Sequence, residues 1–201
     1  MAYFDIESLC IFNLDSPSSS LIVVKQIWDD FVAPFGDTAK ILDVGGTESG
    51  FMHKLPAEKR CNVCAVNTTQ TKRIRYRRLT DVPQGEGPFA LAMMFGVLMY
   101  MERTEVEYSF QRIHELLTPG GSIIVANPRH DSLLQKADHA VKRIFKHASK
   151  RYTPEELQEM LSVAGFISIQ TTTDLTPPKK LYRLYQSRPY LVIIGERSAR
   201  P

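Results

Sequence analysis

Between Ile41 and Gly50 the chain reads Ile-Leu-Asp-Val-Gly-Gly-Thr-Glu-Ser-Gly, an apolar run that ends in a glycine turn. Such a turn after a strand lets backbone approach a ligand closely, because no Cβ stands in the way. Three readings compete for it. A phosphate loop needs Lys and then Ser or Thr after Gly50, and Phe51-Met52 stand there instead. A dinucleotide fingerprint needs glycine at Thr47 and keeps only Gly45 and Gly50. A nucleoside site with no pyrophosphate to cradle tolerates fewer glycines. Asp43 gives it an acid just before the turn, able to hold a cationic group or ordered water.

Two other constellations invite chemistry. Cys61-x-x-Cys64 has the spacing of a redox or zinc pair, but no second ligand pair follows. Residues three apart on a strand also point oppositely, so packing is the better reading. Lys72, Arg73, Arg75, Arg77 and Arg78, with Tyr76 among them, resemble a nucleic-acid patch. Lys136, His139, Lys142, Arg143, Lys146 and His147 make a second basic face. Against both stands a net charge of only +3, from 25 Lys and Arg less 22 Asp and Glu, which favours solvated faces over a nucleic-acid partner.

These residues need a scaffold. The 201 residues, 43% hydrophobic and 23% charged, suffice for one large domain with its own core. Three cysteines fit a reducing compartment, Met1 to Glu7 lack a basic leader, and no apolar stretch approaches membrane length. A soluble cytoplasmic protein with no membrane partner is expected. Val24, Ile27, Trp28 and Phe31 recur at helical spacing after a serine-rich loop. Short apolar runs at 40–44 and 62–66, and an unbroken one at 89–95, read as strands of a parallel sheet. Thr104 with Glu107 predicts a capping box for a helix carrying Val106, Phe110, Ile113 and Leu117. A strand at 122–126 follows, then a helical stripe from Leu133 to Ile144. Thr153, Pro154 and Glu156 open a further helix that Gly165 stops, and strands at 166–172 and 190–195 close the chain. Strand–helix alternation means an α/β sheet, and the closing pair suggests an antiparallel hairpin.

In order and spacing these segments resemble the class I S-adenosylmethionine-dependent methyltransferases of the small single-domain type. Ile41 to Gly46 is similar to that family's first motif, with Phe51 at a place that often holds an aromatic. Phe95-Gly96-Val97-Leu98-Met99-Tyr100, Leu116 to Ser122, and Tyr152 to Leu157 running on to Phe166 match later segments, so the resemblance covers residues 20–197. It implies a Rossmann-like fold: a seven-stranded, mostly parallel sheet with helices on both faces and an antiparallel last strand. The single domain would divide into an N-terminal loop and helix (1–38), a cofactor-binding half (39–128), and a lid helix, late helix and hairpin (129–201).

The resemblance also implies S-adenosyl-L-methionine as cofactor, held by Asp43, Gly45, Gly46, Thr47, Asn67, Asp81 and Phe95. Thr47 and Ser49 replace glycines of the family turn, Ala90 replaces an acid, and Asn67 replaces the acid that takes the ribose hydroxyls. On this reading Asn67 accepts one hydroxyl, and Asn67→Asp would tighten binding about fivefold. Methyl transfer asks mainly for alignment, with a base useful when the acceptor is a hydroxyl. Tyr100, Asn127 and His130 follow strands at the appropriate edge, and Tyr100 and His130 are the candidate catalytic residues. No Asn-Pro-Pro-Tyr follows Phe95, which favours an oxygen or carbon acceptor in a small molecule; the Lys136–His147 face would suit an anionic one. The other readings are a binding or regulatory protein that has lost catalysis, and an RNA-modifying enzyme.

Overall fold

The computed structural model describes residues 25–47, 51–69, 74–128, 152–172 and 190–199. Six strands form one sheet: β1 (Ile41–Val44), β2 (Val63–Val66), β3 (Phe89–Phe95), β4 (Leu117–Pro128), β5 (Phe166–Thr172) and β6 (Tyr190–Arg197). Their order across the sheet is β2-β1-β3-β4-β6-β5. β1 pairs in parallel with β2 and β3, and β3 with β4. β6 runs antiparallel to both β4 and β5, so it alone opposes the rest. The antiparallel last strand is as expected.

A seventh strand does not form among the described residues. In its place Tyr76 makes a single parallel bridge to Val66, with Arg75 N–H donating to Ala65 O and Asn67 N–H to Tyr76 O. Within the segment Ile74-Arg75-Tyr76-Arg77-Arg78 only Ile74 is buried. The ladder stops after one step.

Alternation along the strands divides the core in two. One face carries Ile41, Ala65, Met93, Phe95, Ile124 and Val192 and is covered by Ile27 and Trp28 of helix α1 (25–31) and by Phe51 of the short α2 (Phe51–Lys54). The other face carries Leu42, Cys64, Met94 and Val125 under α3 (Arg103–Leu116) and α4 (Pro154–Val163). Helices on both faces are as expected. The α4 cap forms as its sequence predicts: Thr153 Oγ1 accepts from Glu156 N–H at 3.2 Å, and Glu156 Oε2 accepts from Thr153 N–H at 2.7 Å. The α3 cap is displaced. It begins at Glu102, whose N–H donates to Glu105 Oε2 at 2.7 Å, so Thr104 lies within the first turn.

Candidate functional site

The glycine turn leaves β1 at its carboxyl end and is clamped from three sides. Gly45 takes φ +83°, and a Cβ there would stand 3.0 Å from the Val97 side chain beyond β3. Its N–H donates to Val66 O at 2.7 Å. A Cβ at Gly46 would lie 2.3 Å from an Asp43 carboxylate oxygen, so a side chain there forces the turn or the acid to shift. Asp43 itself is buried, 4% exposed. The acid before the turn thus sits against Gly46.

The strand register sets the neighbours. Val44 pairs with Met94 and Val66, and Phe95 with Ala126. One residue beyond Val44, Gly45 therefore shares a level with Phe95 and Ala126, and the ends of four strands meet at one edge. Phe95 is buried against the α1 side. Gly96 turns the chain there with φ +65°, its N–H bonded to Ala126 O at 2.9 Å. Asn127 ends the buried part of β4; only 2% of it is exposed, and its Oδ1 is buried with no hydrogen-bond partner among the described residues. A buried amide oxygen left in this state costs stability, and such groups concentrate where a ligand completes them.

Of the residues expected to hold a cofactor, Asp43, Gly45, Gly46, Thr47, Asn67 and Phe95 come together at this edge, with Thr47 half-buried after the turn. Asp81 lies on the segment between β2 and β3. It is exposed in the 3-10 turn Leu79–Asp81, where its carboxylate accepts from Arg78 N–H at 3.1 Å and from Thr80 Oγ1–H at 3.3 Å. Tyr100 follows the turn after β3 and is 63% exposed. His130, Glu48, Ser49 and Gly50, and the basic face from Lys136 to His147, lie outside the described residues.

Asn67 ties its amide to the glycine turn. Its Nδ2 donates to Gly45 O and Gly46 O, each at 3.1 Å, and its Oδ1 accepts from Thr69 N–H at 3.0 Å. The amide's donors face the turn rather than a ligand. Lys40, Arg75, Tyr76 and Glu86 form another polar cluster: Arg75 pairs with Glu86, Tyr76 Oη donates to Glu86 Oε2 at 3.0 Å, and Lys40 Nζ reaches Glu86 O at 2.6 Å. Burial, then the Glu86 bond, raises the Tyr76 phenol above its ordinary value. Arg75 is therefore committed to an ion pair, whereas Arg77 and Arg78 are exposed.

Cys64 and Cys61 are both free thiols. Burial, then the Glu86 charge, pushes the Cys64 thiol up to about 11, so it stays protonated near neutral pH. Cys61 is exposed in the 3-10 turn Ala57–Asn62, which corrects its expected packing role. No group of His, Cys, Asp and Glu able to hold a metal occurs among the described residues. None of their helices is long and apolar enough to cross a membrane.

No family model matches this chain, and neither does any curated protein. Solved structures do. A SAM-dependent methyltransferase from Archaeoglobus fulgidus is similar at TM-score 0.67 and 12% identity, over 98% of this chain and 100% of that one. A possible histamine N-methyltransferase from Thermotoga maritima is similar at TM-score 0.61 and 17% identity, over 89% and 87%. A 1,6-didemethyltoxoflavin-N1-methyltransferase from Burkholderia thailandensis, solved with 1,6-didemethyltoxoflavin and S-adenosylhomocysteine, is similar at TM-score 0.55 and 20% identity, over 90% and 85%. The fold is that of the class I S-adenosylmethionine-dependent methyltransferases.

Proposed function

We propose that this chain transfers a methyl group from S-adenosyl-L-methionine to a small molecule, at an oxygen or carbon atom. The observation that carries the reading is the Gly45–Gly46 turn seated on the buried Asp43 carboxylate, at the sheet edge of a methyltransferase fold. The residues fit such a cofactor: the turn takes no side chain at Gly46 without a shift, and the buried Asn127 Oδ1 on the same edge has no donor among the described residues. When bound, S-adenosylmethionine brings a methyl group already activated on a sulfonium, so the protein's work is alignment. Asp43, Gly45, Gly46, Thr47 and Phe95 would position the nucleoside end, with a lesser share for Asp81. Tyr100 and His130 would orient an acceptor hydroxyl and take its proton.

A small-molecule acceptor is supported by the neighbours, among them the toxoflavin precursor enzyme. The preference for oxygen or carbon rests on the absence of Asn-Pro-Pro-Tyr after Phe95. An anionic acceptor rests on the basic residues from Lys136 to His147. The occupied Asn67 amide favours a second reading, a binding protein that no longer carries out transfer. Calorimetric titration with S-adenosylmethionine and S-adenosylhomocysteine tests both. Saturable heat with thermal stabilisation is expected; no heat at millimolar ligand would transfer the conclusion to the second reading. Labelled methyl recovered in RNA rather than in small molecules would establish the RNA-modifying alternative.

A further inference from the structure

Asn67 Nδ2 reaches back 22 and 21 residues to the carbonyls of Gly45 and Gly46, while its Oδ1 takes Thr69 N–H. A carbonyl only accepts and a backbone N–H only donates, so these three partners fix which way the amide points. No carboxylate could do the same. Ionised, it has no proton to give and would set negative charge against two carbonyl oxygens. With Gly45 N–H already bonded to Val66 O, the turn is tied to the end of β2 through three hydrogen bonds, two of them from Asn67. We infer that Asn67 is a positioning residue that clips the glycine turn to β2, and that the nucleoside site consequently reads the ribose hydroxyls weakly. Only one lone pair of a neutral oxygen is left at this place for a hydroxyl. The ligand class is thus a nucleoside recognised through the turn and its other groups more than through its diol. This inference rests on the nucleoside-site reading above.

The test compares the native protein with Asn67→Asp by calorimetry and thermal melts. Native protein should bind S-adenosylhomocysteine and its 2′,3′-dideoxy analogue within about fivefold of each other, since one neutral bond is at stake. Asn67→Asp should melt lower near neutral pH and bind S-adenosylhomocysteine more weakly. Its melting deficit against the native protein should shrink towards pH ~4, where a protonated carboxyl regains one donor for the turn. A purely structural asparagine would leave the dideoxy ratio of the native protein unconstrained. A dideoxy penalty of tenfold or more (about 1.4 kcal/mol) would overturn the inference. So would an Asn67→Asp protein that binds more tightly without loss of melting temperature. Absence of S-adenosylhomocysteine binding in the native protein would overturn the proposed function instead; the pH-dependent melting deficit would still support the clip.

Discussion

Gly46 and Asp43 show how little latitude the turn allows. A methyl at residue 46 would lie 2.3 Å from the carboxylate, so Gly46→Ala must displace either the turn or the acid. Overpacking of this kind costs about 1–3 kcal/mol, and Gly46→Ala should lose cofactor binding in calorimetry together with thermal stability. Asn127 predicts the opposite balance. Replacing it by leucine removes a buried acceptor that has no partner among the described residues, so Asn127→Leu should raise stability by about 1 kcal/mol, equivalent to roughly 2–4 °C in a melt, while reducing methyl transfer. A lower melting temperature would show that the native amide is satisfied. Cys61 should alkylate readily with iodoacetamide at neutral pH, and Cys64 only after unfolding, as peptide mass mapping would show. Asn67 was conspicuous in the sequence as a departure, but its partners were not. A strand end at 67 and a turn at 45–46 meet only once β1 and β2 pair, so the donors' direction belongs to tertiary structure.

At the scale of elements, the contact of α3 with β5 carries a pH response. His114 stacks edge-on against Phe166 at 5.2 Å between centroids. Burial, and then the Arg197 charge, lower its pKa, outweighing the Gly165 backbone bond and Glu115, which raise it. The folded state therefore prefers neutral imidazole, and the unfolded chain takes up the proton first. Stability should be complete above the ordinary histidine value of about 6.5 and fall as pH drops below it. His114→Gln should remove that part of the slope in melts taken at successive pH values; parallel decline of both proteins would contradict the assignment. Thr153→Ala should cost α4 about 1 kcal/mol through loss of its cap, read in urea unfolding. Elements with a complete local signature were legible. Seven successive buried positions in β3 and the Thr153-Pro154-Glu156 start of α4 are both where the residues put them. The α3 cap was misplaced by two residues because Glu102 is not a residue type that announces a helix start. The seventh strand was expected only as part of the family's fold, with no apolar run of its own in the sequence, and between β2 and β3 the described residues make a single bridge, Val66 to Tyr76.

Across the whole molecule, sheet order follows from chemistry distributed between residues 41 and 197, which explains why the fold could be anticipated from ordered motifs although identity to the three structures described above is 12–20%. The site was legible to the same extent: its turn and strand ends were placed, while the hydrogen-bond roles at the rim required coordinates. β6 has a further effect on how the molecule comes into being. It lies between β4 and β5, and Val192, Ile193 and Ile194 are buried within the sheet. Among the described strands, β5 has no sheet neighbour except β6. During vectorial synthesis, β4 must therefore leave the ribosome with its Ile123–Ala126 edge unpaired and wait for some 70 residues of chain before its partner is made. Unpaired apolar edges recruit other chains. A chain ending at residue 189 should accordingly partition into the insoluble fraction on expression, and supplying residues 190–199 as a separate peptide during refolding should recover soluble protein. Of the six described strands β6 is made latest and fills the place between β4 and β5, so the nascent protein depends on protection at the β4 edge until residues 190–197 are synthesised.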